Sequence, residues 1–136
     1  MTGKLNIVGA GYALDAATGR ATVTTRTTYL ELLTAAPTAS STLATVAEYA
    51  GVGYTRQAIA MSTPSGTPRV TSNTAALTLG PITSGAGAAV THWALVSAAS
   101  GTTGDIVAQG DWATPRTPAV GDSLTVAIGA VSVQLD

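Results

Sequence analysis

Apolar and polar residues alternate in several short segments of this chain, most regularly in its last third. Two consecutive runs carry an apolar residue at every second position, first Leu124, Val126 and Ile128, then Val131, Val133 and Leu135. A period of two places successive side chains on opposite faces of an extended strand. Gly129 lies between the runs and can adopt the positive φ of a tight turn. The pattern therefore predicts a terminal β-hairpin with one apolar face.

The same alternation, or a short apolar run closed by glycine or proline, predicts further strands upstream. These predicted strands cover residues 29–34, 54–61, 74–79, 90–96 and 105–112. The connections between them are rich in serine, threonine, glycine and proline, which favour turns and loops over helices. The chain is therefore predicted to be rich in strands, and nothing in it indicates βαβ units.

The remaining segments are less regular. Residues 62–73 are predicted as a loop from their prolines and glycine, and residues 82–88 as a flexible linker. Residues 43–50 contain good helix formers, and a short helix and a turn suit them equally. Residues 1–26 lack a sustained period, which argues against a core element and predicts an N-terminal arm.

About seven strands separated by frequent turn signals are typical of a β-sandwich or a jelly-roll-like barrel. A chain of 136 residues is long enough for one domain and its core. We therefore predict an all-β, single-domain protein of about seven strands, with an arm over residues 1–26 and a β-sandwich domain over residues 27–136.

Composition and charge narrow the possible functions. The chain has no phenylalanine and many small residues, so its core is thin, and we expect neighbouring subunits to add stability. The formal net charge is −1 and the six Lys and Arg residues are scattered, which argues against nucleic-acid binding. No membrane span is predicted, because no apolar run approaches about 18 residues. No cleavable signal peptide is predicted either, because Asn6, two glycines and Asp15 interrupt the apolar stretch that follows Lys4.

Candidate chemistry is sparse. The stretch IVGAGYAL at residues 7–14 resembles the opening of a dinucleotide-binding fingerprint, but Leu14 stands where a small residue is required. His92 is the sole histidine, and cysteine is absent, so we predict no catalytic site, no metal site and no cofactor. Trp93 and Trp112 suit two roles: core anchors, which we favour in a chain without phenylalanine, or a carbohydrate-stacking pair.

Five stretches from residue 29 onward resemble a family of small virion proteins of tailed bacteriophages. They are YLELLTAAPT, GVGYTRQAIAMSTPSG, TSNTAALTLGPIT, VTHWALVSAASG and AVGDSLTVAIGAVSVQLD, of which GYTRQA and the closing block are the most specific. Members of this family are labelled tail-fibre-like, head decoration or minor structural proteins. The resemblance implies a β-rich, non-enzymatic component of the phage particle, assembled in the cytoplasm of the bacterial host. Residues 1–26 lie outside the resemblance.

Two functional hypotheses follow. The first is a decoration, or cement, protein on the capsid surface, which binds the major capsid protein and itself, as a trimer at capsomer junctions. In this hypothesis the arm contacts its neighbour through its apolar and aromatic side chains, Leu5, Ile7, Val8 and Tyr12. The compact length and the absence of coiled-coil heptads favour this position. The alternative is a tail-tip or tail-fibre module that recognises a glycan on the host surface.

Overall fold

The computed structural model describes residues 1–22, 24–85 and 87–135, and in these ranges it contains nine strands and one helix. In chain order they are β1 (Thr2–Leu5), α1 (Ile7–Ala17), β2 (Thr28–Leu33), β3 (Gln57–Ile59), β4 (Arg69–Ser72), β5 (Leu77–Leu79), β6 (Val90–Val96), β7 (Ile106–Arg116), β8 (Leu124–Val126) and β9 (Ser132–Leu135). Val23 of the predicted arm, Ala86 of the predicted linker and Asp136 of the closing block lie outside the described residues.

Seven strands form one curled sheet in the order β3-β2-β6-β7-β1-β9-β4, and β5 pairs with β8 in a separate two-stranded sheet. Strands β1 and β9 are parallel, and the other paired strands are antiparallel. The chain beyond β3 runs alongside β4, where Ser62 N donates to Ser72 O at 2.8 Å. Thr74 N also donates to Ala60 O at 2.9 Å. These bonds link the two ends of the sheet.

The indole of Trp93 lies at the centre of the core and spans three neighbouring strands. In β6 it is paired with Gly110 of β7, where an added Cβ would lie 2.7 Å from the indole. An added Cβ at Gly3 of β1 would lie 2.3 Å from the same ring. The indole N–H donates to Asp111 O at 3.1 Å, which satisfies its polar group. Glycine at these two positions leaves the space that the indole fills.

The central strands are buried on both faces. Leu30 and Leu32 of β2 join the main core with the apolar residues of the two-stranded sheet, whereas Leu33 packs in a second cluster on the opposite face. Leu43 covers that second cluster. A strand buried on both sides carries a mostly apolar run, and in YLELL this run is interrupted only by Glu31. The prediction of an all-β single domain is confirmed, as are the five upstream strands, with shorter bounds for 54–61 and 74–79 and a longer strand at 105–112, which continues to Arg116.

The predicted terminal hairpin is wrong, because β8 pairs with β5 while β9 pairs with β1 and β4. The turn between β8 and β9 bonds to the buried Asn73 instead: Val131 N donates to Asn73 Oδ1 at 2.9 Å, and Gly129 N to Asn73 O at 2.9 Å. Leu124, Val126, Val131 and Val133 are buried as predicted, but Ile128 and Leu135 are exposed.

Two further predictions for internal segments are corrected. Residues 69–72 belong to the predicted loop 62–73 but form β4, because the polar strand RVTS finds its partner in β9. The helix alternative for residues 43–50 is wrong: residues 43–45 form a turn, and Glu48 bridges to Leu33.

The prediction that the N-terminal segment is an arm outside the core is wrong for β1, which lies inside the seven-stranded sheet between β7 and β9. The Met1 ammonium group donates to Ala130 O at 2.8 Å, so the segment is held from its first residue. Four residues are too short to show a period, and α1 buries a glycine rather than an apolar stripe, which is why the sequence concealed both elements. The boundary after residue 26 stays a prediction.

A truncated chain that begins at residue 27 tests this boundary. We expect it to lose its cooperative unfolding transition, because removal of β1 leaves β7 and β9 unpaired and opens one side of the Trp93 pocket. Circular dichroism during thermal unfolding measures this. The control is the full chain with Gly/Ser replacing residues 18–22, which are exposed and should be dispensable. A truncated chain that melts like the full one would establish residues 27–136 as an independent domain.

Candidate functional site

The four residues predicted to bind a partner lie at the end of β1 and along α1, but they do not share one surface. Leu5 is half-buried against the main core, and Val8 is half-buried in the first turn of α1. Ile7 is 64% exposed and Tyr12 is 40% exposed. Because successive helical residues are separated by about 100°, Ile7 and Tyr12 point to different sides of α1. Their role in partner binding stays a prediction.

Asn6 fixes the start of α1. Its side-chain oxygen accepts a hydrogen bond from Val8 N at 3.0 Å, which caps the helix in the usual way. Its backbone N donates to Val107 O at 2.9 Å, and its amide donates to Gln109 Oε1 at 3.3 Å. The helix therefore begins directly where β1 leaves the sheet, and it is held against β7.

Gly9 sets the distance between α1 and β7. A Cβ at this position would lie 2.1 Å from Val107 O, so only glycine allows the helix to approach the strand this closely. One turn later the Tyr12 hydroxyl donates to Asp105 Oδ2 at 2.6 Å, and the Arg26 guanidinium lies 4.0 Å from the centre of the Tyr12 ring. Tyr12 and Arg26 both line a cavity of about 280 Å³. These contacts define the inward side of α1.

The outward side of α1 is apolar. Ile7 is 64% and Leu14 is 65% exposed, and they lie seven residues, or about two turns, apart on one side of the helix. Ala10, Gly11 and Ala17 lie on the same side by helical spacing. We refer to Ile7, Ala10, Gly11, Leu14 and Ala17 as the outward face of α1.

A buried ionic cluster forms where Arg56 meets Glu31 and Glu48; we call these three residues the Arg56 cluster. Glu48 accepts two hydrogen bonds from the guanidinium, at 2.9 and 2.7 Å, and Glu31 Oε1 accepts one at 2.9 Å. The guanidinium also donates to Ala98 O at 3.2 Å and Gly101 O at 3.0 Å. The cluster thus joins β2, the segment before β3 and the loop between β6 and β7.

The Arg56 cluster contains two carboxylates and one guanidinium, so its charges do not balance. Glu31 is fully buried, and its Oε2 has no hydrogen-bond partner among the described residues. Burial raises the pKa of Glu31 to about 7, because the cost of desolvation outweighs the attraction of Arg56. Glu31 therefore carries a proton in much of the folded protein below neutral pH.

His92 is held as part of a cross-strand pair between β6 and β7. Its Nε2 lies 3.2 Å from Oδ1 of Asp111, the residue opposite it, and its Nδ1 lies 2.8 Å from Thr91 Oγ1. The described ranges, residues 1–22, 24–85 and 87–135, contain no group of three or more His, Cys, Asp or Glu side chains that could hold a metal ion. The contact between His92 and Asp111 joins the two strands.

Trp93 and Trp112 are both buried, which confirms that they anchor the core. Trp93 is enclosed by β1 and β7, and Trp112 packs in the same apolar cluster. A sugar ring stacks on an exposed aromatic face, so this burial argues against the carbohydrate-stacking alternative for the pair.

The family model described as Gp80, Podophage GP4 fiber I protein gp80, matches residues 10–134. The chain belongs to this family. The match covers most of the chain, including α1 from Ala10 onward and all or nearly all of every strand of the curled sheet except β1. No curated protein matches the chain.

Membership of the Gp80 family makes this chain a phage virion structural protein. The resemblance to phage virion proteins stated from the sequence is thereby confirmed. Within residues 1–22, 24–85 and 87–135, no helix has the length and apolar character needed to cross a bilayer.

Sequence analysis did not foresee the Arg56 cluster, although the GYTRQA block that includes Arg56 was recognised as specific. One signal was available: Glu31 interrupts the apolar run YLELLT, and a charged residue inside a doubly buried strand requires a buried partner. The sequence could not show that this partner is Arg56, because the pairing joins segments 25 residues apart.

The two glycines of α1 provide a matched test of its packing. We expect Gly9→Ala to destabilise the protein by about 1–3 kcal/mol, because the new methyl group collides with a strand carbonyl. Gly11→Ala should instead stabilise it by about 0.5–1 kcal/mol, because the site is open and alanine is the better helix former. Urea denaturation measures both free energies of unfolding. Equal effects of the two substitutions would contradict the observed packing of α1 against β7.

The raised pKa of Glu31 predicts how stability depends on pH. Because the pKa is about 7 in the folded protein and near its usual 4.5 in the unfolded chain, the folded state binds more protons between these values. The contribution of Glu31 to stability is therefore full below pH 4.5 and is lost as pH rises through 7, by up to about 3 kcal/mol.

Urea denaturation at a series of pH values measures this dependence, and Glu31→Gln should flatten it because the titrating proton is gone. The control is Asp15→Asn, at the exposed ion pair with Arg20, which should keep the pH dependence of the wild type. A slope that survives in Glu31→Gln would show that another group carries it.

Proposed function

We propose that this chain is a non-enzymatic structural subunit of a fibre on a podophage virion. The observation that carries the proposal is the match of residues 10–134 to a family described as a podophage fiber protein. The description favours the fibre alternative over the capsid decoration that the sequence first suggested.

The internal contacts support a mechanical role. Buried polar side chains of the protein hold loops in place: the Arg56 cluster binds the β6–β7 loop, and Asn73 binds the turn between β8 and β9. The two ends of the curled sheet are joined by backbone hydrogen bonds, which shields their edges from pairing with other chains. A domain with this construction keeps its shape while its outer surfaces make contacts in an assembly.

The proposal includes self-association. The core lacks phenylalanine and is built from two tryptophans, Tyr49 and aliphatic residues, so contacts between copies would add to a thin margin of stability. The outward face of α1 offers apolar area for such a contact. The trimer and the binding of the major capsid protein, both predicted from the sequence, belong to the capsid hypothesis.

Capsid decoration is the second candidate, and the compactness of the domain favours it. The longest strand has 11 residues and the helix also has 11, so the described chain contains no extended shaft of its own. A small, nearly neutral β domain suits a flat contact on a shell as well as a position within a fibre.

Binding to separated virion parts distinguishes the two candidates. Purified protein, labelled at its C-terminus, is mixed with isolated tails or fibres and separately with empty capsids of the same phage. Sedimentation and gel densitometry then give the bound copies. We expect a small, fixed number of copies on the tail or fibre fraction. Saturation of the capsid in a fixed ratio to the major capsid protein would overturn the fibre proposal and establish decoration.

A further inference from the structure

The outward face of α1 differs from the other exposed apolar positions because its large residues share one short helix. Ile7 and Leu14 are 64% and 65% exposed, and no charged residue belongs to the face. The nearest charge, Asp15, is paired with Arg20 at 3.5 Å. Two copies of this face can therefore approach each other without repulsion between like charges.

Four of the five residues of this face, those at positions 7, 10, 11 and 14, have a symmetric order along the helix. The large side chains Ile7 and Leu14 flank the small pair Ala10 and Gly11, and the midpoint of both pairs falls between residues 10 and 11. If two such helices pack antiparallel around a twofold axis through this midpoint, Ile7 lies opposite Leu14 of the second copy. Each large side chain then meets a large one, and the small residues lie at the crossing point. A twofold interface requires this kind of self-complementarity.

Gly11 supplies a second, independent observation. Glycine is unfavourable inside a helix relative to alanine, and it is usually retained there for close packing. At Gly9 the close contact is with Val107 O of the same chain, but a Cβ at Gly11 would meet no atom within 4 Å. The fold of a single copy therefore gives no reason for glycine at position 11. Close approach of a second backbone would supply one.

The size of the face indicates what can cover it. Two turns of helix present much less than the roughly 800 Å² per partner of a standard stable interface. A large, rigid protein partner would require more of the surrounding surface to be apolar, whereas a matching helix is covered fully by the face. The contact is consequently weak between free molecules and strong where an assembly holds many copies close together.

We infer that the outward face of α1 is a self-docking surface, on which α1 of a second copy packs antiparallel with Ala10 and Gly11 at the crossing point. This inference rests on the proposed self-association and names the surface and geometry that produce it. It does not depend on whether the virion position is the fibre or the capsid.

Sedimentation equilibrium of the full chain, from low micromolar to about millimolar concentration, tests the contact. We expect a reversible dimer for the wild type. Ile7→Glu should weaken it at least about tenfold, because a charge replaces buried apolar area at both ends of the twofold contact. Glutamate at the first position of a helix is compatible with folding. The control is Ile128→Glu, at an isoleucine that is 68% exposed in the β8–β9 turn, which should leave the dimer unchanged.

Gly11→Gln separates docking from folding. Glutamine is a better helix former than glycine and the site is open within one copy, so the thermal midpoint at low concentration should rise or stay constant. The same side chain blocks the crossing point, so dimerisation should be lost. A Gly11→Gln protein that dimerises like the wild type would overturn the inference.

Disulfide trapping determines the direction of the helices, because the chain has no cysteine of its own. Ile7→Cys and Leu14→Cys proteins, with different tags, are oxidised separately and as a mixture. The antiparallel geometry places position 7 opposite position 14 of the second copy, so it predicts a cross-link in the mixture alone. Two copies of position 7 lie more than about 10 Å apart along the helix axis, which is too far for a disulfide. A cross-link within either single variant would indicate parallel helices and overturn the proposed geometry.

The outcomes separate this inference from the proposed function. A wild type that stays monomeric at every concentration would overturn both the self-association and the α1 surface. A dimer that Ile7→Glu and Gly11→Gln leave intact would preserve self-association and overturn only the assignment to α1. Loss of the dimer in these two variants, with retention in Ile128→Glu, would support both.

Discussion

The fold depends on the packing of one indole across three strands. Trp93 fills a space that exists only because Gly3 and Gly110 carry no side chains. This requirement places β1 beside β7, in the interior of the sheet, where it also forms the parallel pair with β9. In a core with few large side chains, one tryptophan in contact with three strands contributes more than any aliphatic residue can. The N-terminal residues are therefore structural, and the start of α1 is placed by the strand that precedes it.

The Arg56 cluster imposes the second constraint, and it concerns loops rather than strands. A buried guanidinium that binds two carboxylates and two loop carbonyls holds three separate segments in one arrangement. Such a cluster adds little net stability compared with apolar packing, but removal of Arg56 would leave Glu31 and Glu48 without their counter-charge. The raised pKa of Glu31 resolves its charge imbalance, because Glu31 takes up a proton below neutral pH. Fixed loops are of value in a virion structural protein, whose surfaces must match their neighbours in repeated contacts.

Helix α1 connects these constraints to function. Its inner side is fixed to β7 through Asn6 and Gly9, and its outer side presents apolar residues that the described part of the chain leaves exposed. A helix that is apolar on both sides is suited to lie between its own sheet and a second molecule. The family match begins at residue 10, inside α1, so the second half of this helix is part of what the Gp80 family shares.

The sequence by itself determined the all-β class, the positions of most strands and the burial of both tryptophans. These features follow from local period and residue size, which a linear pattern records. Only the tertiary structure decided which strands pair. Residues 124–135 have the pattern of a hairpin, yet the turn between the two strands bonds to Asn73. Strand β8 pairs with β5, and β9 pairs with β1 and β4. The same is true of β1 and α1, which are too short or too uniformly apolar to show a period, and of the bond between Glu31 and Arg56. Several strand and side-chain pairings are locally possible, and contacts between segments distant in sequence determine which of them form. Local sequence patterns do not record these contacts.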